Sequence, residues 1–346
     1  MRNWRWGLVL ALTILPALRA RPPQQEIVAV PPPWAYGFDA PTGAPPPDRP
    51  DSAARGGEDI GVLRHIPDST LSFTLTQLRD NYGPADWFPN DHPPMPDIVA
   101  HGHKPDVVAC SFCHYPNGKG RPVNTMLAGL PYSYLMQTLA DFRNGKRRSA
   151  DARKTNTNNM VKFAKQMSDD ETKAAALYFS SMRWSPWIRV VETNMVPKTR
   201  IANGIFLRVG GDEKEPIGHR IIETPEDVER MEVLRDDRSG FIAYAPVGSV
   251  KKGEALVRTG GGKTTQCAIC HGSDLTGLGP VPGIAGRSPS YMVRQLYDMQ
   301  HGFRTGEWAN LMKPVVAKLS ADEMLTIAAY LASLNGAPAS VTTAHK

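Results

Sequence analysis

A chain of 346 residues that sets 40 Lys and Arg against 34 Asp and Glu has a net charge of only +6 and no dense basic tract, which argues against nucleic acid as a partner. Its length admits two domains. It contains no nucleophile elbow, phosphate-binding glycine loop or metalloprotease histidine pair, so none of those catalytic classes is expected.

Residues 1–20, MRNWRWGLVLALTILPALRA, have the form of a secretory signal peptide: Arg2 and Arg5, an apolar run from Gly7 to Leu18, and small residues at Ala17 and Ala20. The run falls short of the ~20 apolar residues that a spanning helix needs, and Pro16 interrupts its end. Cleavage near Ala20 is therefore expected rather than a retained anchor. Removal of Arg2, Arg5 and Arg19 would take the net charge from +6 to +3. No later segment approaches transmembrane length, so the mature chain is expected in an exported, periplasmic space with no stable membrane span. Residues 21–91 are proline-rich at Pro31 to Pro33 and Pro45 to Pro47 and read as an extended arm, with one short helix at TLTQLRDNYG.

The segment 92–185 contains Cys110-Ser-Phe-Cys113-His114, and the segment 249–336 contains Cys267-Ala-Ile-Cys270-His271. These two CxxCH motifs use all four cysteines of the chain and have the spacing of covalent c-type haem attachment. Two thiols three positions apart can each add to one haem vinyl group, while the adjacent histidine reaches the iron. A redox disulfide or half of a zinc site would use the same CxxC, but a zinc site needs four ligands and each motif has only its own histidine nearby. Two haems are expected, held by Cys110, Cys113, Cys267 and Cys270, with His114 and His271 on the irons.

The two segments are copies. An offset of 157 positions holds without a gap from Pro96–Arg147 to Gly253–Arg304, matching Tyr134 with Tyr291, Asp141 with Asp298 and Arg147 with Arg304. Beyond it the offset is 152, which aligns Met160 with Met312 and Ser168 with Ser320. Each copy predicts a helix opened by a proline, Pro131 or Pro289, and stopped by Gly145 or Gly302. A last helix follows a capping box, Ser168 to Glu171 or Ser320 to Glu323. A helix from Ser249 through GEALVRTG precedes the second motif, with the shorter PDIVAHG in the first copy. Between the copies, 186–248 holds WIRVVET, GIFLRV and HRIIE, β-branched runs that predict a small strand-containing insert. Residues 337–346 are a tail.

A thioether on the sixth position closes a haem iron and raises its potential, so the choice of methionine decides carrier or catalyst. Met160 and Met312 occupy the same place in both copies, on what reads as a loop, and are the expected ligands. Met167 has no methionine counterpart, since Leu319 stands there, and is the weaker candidate. His101 and His103 face Arg258 and Gly260 in the second copy, which cannot ligate iron, so they read as loop histidines.

These residues resemble the class I c-type cytochromes, and in particular the tandem di-haem cytochromes of bacterial periplasms, over about 93–184 and 249–335. The resemblance rests on CSFCH and CAICH, Gly120 and Gly277, LAGL and IAGR, the helix ending in GKR or GFR, and the segments with Met160 and Met312. In that family a proline after the motif supplies a carbonyl to the histidine Nδ1; Pro282 fits this, and Thr125 stands at the matched position of the first copy. The resemblance implies a mainly α fold of two class I cytochrome c domains with a small strand-containing insert between them. It further implies a carrier of single electrons between a donor dehydrogenase or quinol-oxidising complex and a terminal acceptor, with periplasmic redox proteins as partners. The competing readings are a haem enzyme with one open iron, such as a di-haem peroxidase, and a fixed cytochrome subunit of a dehydrogenase complex.

Overall fold

In the computed structural model residues 30–41 and 61–334 are described, together with Met1 and Gly336. The leader sequence apart from Met1, the tract Pro45 to Pro47 and the tail 337–346 lie outside the described residues. Helices dominate, and the short strands gather in the insert.

The chain enters the described region through α1 (Pro33–Tyr36), one turn that buries Trp34, Ala35 and Tyr36. Next come α2 (Leu75–Leu78), opened by a Thr74–Gln77 capping box, α3 (Asp97–Ala100) and α4 (Cys110–His114). The first copy is completed by α5 (Tyr132–Arg143), α6 (Thr155–Gln166) and α7 (Asp169–Ser180). The start of α7 is fixed chemically. Ser168 Oγ accepts from the Glu171 amide at 3.1 Å, and the Glu171 carboxylate accepts from the Ser168 amide at 2.7 Å. Three acidic residues in the first turn then face the positive end of the helix dipole.

Within the stretch 21–91 expected as an extended arm, the described part has a core. The segment 61–91 is folded onto the insert: Ile66, Leu75, Leu78, Trp87 and Phe88 form a small core with Leu234, and Trp87 Nε1 donates to the Leu234 carbonyl at 2.7 Å. Alternation of buried and polar residues is weak here, so the prolines that precede the segment mask its packing.

The insert has seven strands: β1 (Ile188–Glu192), β2 (Met195–Pro197), β3 (Thr199–Ala202), β4 (Ile205–Arg208), β5 (Lys214–Pro216), β6 (Ile222–Pro225) and β7 (Phe241–Ala245). The three predicted runs fall on β1, β4 and β6. Its main sheet has the order β1–β7–β6, with β1 and β7 parallel in the register Ile188 to Phe241 and β6 antiparallel to β7. Because the first and last strands of the insert are neighbours, the chain leaves the first copy and enters the second along adjacent strands. The copies are thereby held close.

The second copy consists of α8 (Ser249–Thr259), α9 (Ala268–His271), the two-residue strands β8 (Gly277–Leu278) and β9 (Val281–Pro282), α10 (Pro289–Gln300), α11 (Ala309–Val316) and α12 (Ala321–Ser333). Gly253 is needed where α8 crosses α12: a Cβ there would lie 1.9 Å from the Thr326 carbonyl oxygen. The capping box at Ser320 and Glu323 is formed like that of α7. Pro289 sits in the first turn of α10 behind a Ser288 cap, whereas Pro131 is one position earlier and caps α5 rather than opening it.

The loop expectation for Met160 and Met312 is corrected: both lie within helices, α6 and α11. Met160, Phe163, Ala164 and Met167 are spaced three and four apart, which is one stripe of an α-helix. The Asn- and Thr-rich start of α6 disguises that period. In α11 the stripe is Met312, Val315, Val316 and then Leu319, disguised by Pro314 inside the helix.

The copies meet through a reciprocal exchange. Arg147 of the first donates to Tyr291 Oη and to Gln295 Oε1 of the second, both at 3.0 Å. Arg304 of the second donates to Tyr134 Oη of the first at 3.0 Å and to Gln295 Oε1 at 2.9 Å. The Arg148 amide bonds to the Phe303 carbonyl and the Thr305 amide to the Lys146 carbonyl, each at 2.8 Å. Matched residues trading partners in this way is the pattern of a two-fold axis.

Candidate haem centres

In the first copy Cys110, Cys113, His114 and Met160 all line one cleft, whose empty space is about 1310 Å³ including its open mouth. Met167 lines it as well and is more deeply buried than Met160. Apolar walls come from Leu127, Leu130, Leu135, Phe142, Phe163 and Phe179. A polar wall holds Arg147, Arg148, Asn156 and, from α10 of the second copy, Arg294 and Gln295. The residues fit a haem: a large apolar slot for the macrocycle, cations and amides for its two carboxylates, and two thiols beside an imidazole. The cleft is shared, because one of its walls belongs to the other copy.

Burial shapes the chemistry of the motif. It pushes the Cys110 thiol up to about 12, with the neighbouring Cys113 adding to the shift, and the Cys267 thiol up to about 11. Burial also lowers His114 to about 4, against an opposing hydrogen bond to Thr125, and lowers His271 likewise. Both imidazoles are therefore neutral near pH 7. His114 Nδ1 donates to the Thr125 carbonyl at 3.1 Å and His271 Nδ1 to the Pro282 carbonyl at 2.7 Å. A carbonyl can only accept, so Nδ1 carries the proton and Nε2 keeps its lone pair, the form a metal ligand requires.

The departure at Thr125 thus changes nothing in the bond itself, because the acceptor is main chain. Thr125→Ala is expected to keep it and to shift stability by no more than about 0.5 kcal/mol in thermal unfolding. A larger loss would mean that the hydroxyl, whose bond to the Met126 carbonyl is long at 3.4 Å, matters more than this.

In the second copy His271 is buried, Cys267 is half-buried and Cys270 is exposed. Cys267 and Met312 pack against the same core, which also contains Met292, Leu296 and Leu325. His101 is exposed and His103 bonds to the Glu171 carboxylate at 3.1 Å, as loop histidines would.

Sequence reasoning missed the cross-copy role of Tyr134, Arg147, Gln295 and Arg304. Their repetition is visible in the sequence; that each copy's arginine serves the other copy's tyrosine is not. The electrostatic result is unequal. Burial raises the Tyr134 phenol, but Arg304 and Arg147 outweigh it and bring it down to about 7. Arg304 itself is held above the usual guanidinium range despite its burial.

A Cytochrome c family model matches residues 106–183. A cytochrome c-554(548) from Halomonas halodenitrificans is 38% identical over 72 residues, 20% of this chain and 87% of that protein. Over longer spans the chain is similar to a thiosulfate dehydrogenase electron acceptor from Thiomonas intermedia, 25% identical over 66% of this chain and 80% of the relative. It is also similar to a cytochrome c4 from Pseudomonas aeruginosa, 23% identical over 66% of this chain and 85% of the relative. Among the described residues no helix is long and apolar enough to cross a membrane.

Proposed function

We propose, for a chain that belongs to the class I c-type cytochromes and carries two covalently attached haems, that each repeat is one complete electron-transfer centre closed by a histidine and a methionine. Cys110 and Cys113 would hold the first haem, with His114 and Met160 as the residues offered to its iron; Cys267, Cys270, His271 and Met312 would do the same for the second. When bound, the haem supplies one-electron chemistry between ferric and ferrous iron. The chain supplies the rest. Thr125 and Pro282 orient the imidazoles through Nδ1, the apolar walls exclude water from the macrocycle, and Arg147 with Asn156 and Gln295 offers donors for its carboxylates.

The observation that carries this reading is the single cleft lined by both thiols, the imidazole and Met160. Equivalence of Met160 and Met312 favours them over Met167, which has a leucine in its place in the second copy. The electrons are carried between periplasmic redox proteins after export through residues 1–20. The relative from Thiomonas intermedia is by name an electron acceptor for a dehydrogenase. That supports a dehydrogenase on the donor side, with a terminal acceptor on the other.

The test is an absorption spectrum of the haem-loaded protein, oxidised and reduced, with haem counted per chain and carbon monoxide then added to the reduced form. Two low-spin haems that ignore carbon monoxide are expected. A haem that binds it overturns closed ligation at that site and makes it an open, enzyme-like centre.

A further inference from the structure

The two haem motifs share one backbone and differ in what lies on them. At positions 157 apart, Phe112, Tyr115 and Arg121 of the first copy stand where Ile269, Gly272 and Leu278 stand in the second. Ile269 and Leu278 are 63% and 59% exposed, and Cys270 beside them is exposed too. The matched face of the first copy is instead covered by the insert. Between Glu229 and Arg238 the insert reaches over the motif: Glu232 pairs with Arg121 at 3.2 Å, and the Asp237 carbonyl accepts from the Asn117 amide at 3.0 Å.

Arg235 is the centre of this cap. Its guanidinium lies 4.5 Å from the centre of the Phe112 ring and 5.4 Å from that of Tyr115, and it donates to the Phe112 carbonyl, next to Cys113. The backbone is bent to bring the two together. Arg235 has φ 55° and Tyr115 has φ 61°, where the second copy uses Gly272 at φ 86°. Side chains rarely adopt this region, and such residues gather where function demands a fixed geometry.

We infer that Arg235 tunes the first haem: the insert holds a half-buried cation against the Cys113 end of the attachment helix, which favours the reduced state of that haem over that of the second. This rests on the reading that Cys110 and Cys113 carry a haem. An arginine keeps its charge when buried. Two other arginines of the cap are paired, Arg121 with Glu232 at 3.2 Å and Arg230 with Asp236 at 2.6 Å. Arg235 has no ion pair among the described residues; rings and a carbonyl face it. Its charge is offset only in part, by the Glu232 carboxylate that is itself paired with Arg121, and the remainder acts on the attachment helix. The matched positions of the second motif, Ile269, Gly272 and Leu278, carry no charge, so the bias acts on the first haem.

The experiment is a spectroelectrochemical titration of the full haem-loaded chain with Arg235→Gln and Arg235→Lys, with haem counted per chain. The first haem is assigned by its loss from a Cys110→Ala, Cys113→Ala chain. Arg235→Gln is expected to lower the first haem's potential by an amount on the order of a tenfold change in its reduced-to-oxidised ratio, about 59 mV. The second potential should hold, and Arg235→Lys should stay near the parent. Where Arg235→Gln does not load haem, Glu232→Gln decides, and it should raise the first potential by exposing the charge of Arg121. Two haems with an unmoved first potential overturn the inference, as does a lysine variant that falls as far as the glutamine one. Failure of the unaltered chain to carry two haems would instead overturn the attachment reading beneath it.

Discussion

A chain with Cys110 and Cys113 both replaced by alanine is expected to leave the cell's export route with one covalent haem instead of two, and with its first copy largely unfolded at ordinary temperature. The first core and the first haem site share their residues. Leu130, Leu135, Met167, Ala175, Ala176 and Phe179 belong to that core and also line the cleft. Without the group that fills it, the core surrounds a void. Even ~150 Å³ of unfilled apolar volume costs roughly 4 kcal/mol, against a whole domain's net stability of about 5–15 kcal/mol. The core of the second copy runs through α8, α10, α11 and α12 and is completed by α1 and the insert, so it should remain folded. Haem staining, intact mass and a two-step thermal melt followed by circular dichroism check this. A single-haem chain that melts like the parent would show that the first core stands without its cofactor.

Met160→Ala and Met167→Ala are expected to fail in opposite ways. Both side chains line the first cleft, Met160 half-buried on the face of α6 and Met167 buried at its end. Removing the sulfur of Met160 opens the iron: one of the two reduced haems should bind carbon monoxide, and its potential should fall because the thioether no longer favours ferrous iron. Met167→Ala should leave both haems closed and instead lower stability by about 2–5 kcal/mol, the usual cost of truncating a buried methionine. Carbon monoxide spectra and thermal unfolding of the two variants separate the roles. If Met167→Ala alone binds carbon monoxide, the equivalence of Met160 with Met312 is not the equivalence of ligands.

Much of the fold and of the haem chemistry is legible in the order of the residues. The cysteine and histidine spacing names the cofactor, the offset of 157 predicts α10 from α5 residue for residue, and the capping boxes mark where α7 and α12 begin. All of these are local signals, carried by a few residues in fixed order. What escapes the sequence depends on residues far apart. The helical stripe through Met160 is broken by asparagines whose propensity points to a loop, and packing against α5 overrides it. Arg235 gives no signal, since nothing in a lone arginine says that it will lie on a phenylalanine 123 positions earlier. The Thr125 carbonyl is invisible for another reason. Sequence records side chains, and the acceptor there is backbone.

The reciprocal arginine–tyrosine exchange also bears on how strong the contact between the copies has to be. Two separate proteins meeting through a few such bonds would associate weakly. Here the parallel pairing of β1 with β7 fixes the two ends of the connection about one strand length apart, so the second copy is presented to the first at an effective concentration on the order of millimolar or above. A contact that would be half-dissociated at hundreds of micromolar between free partners is then closed most of the time, and it can still open. Electron passage between the haems can therefore be lost or restored by small changes at Arg147, Gln295 or Arg304 without either half ever leaving the chain.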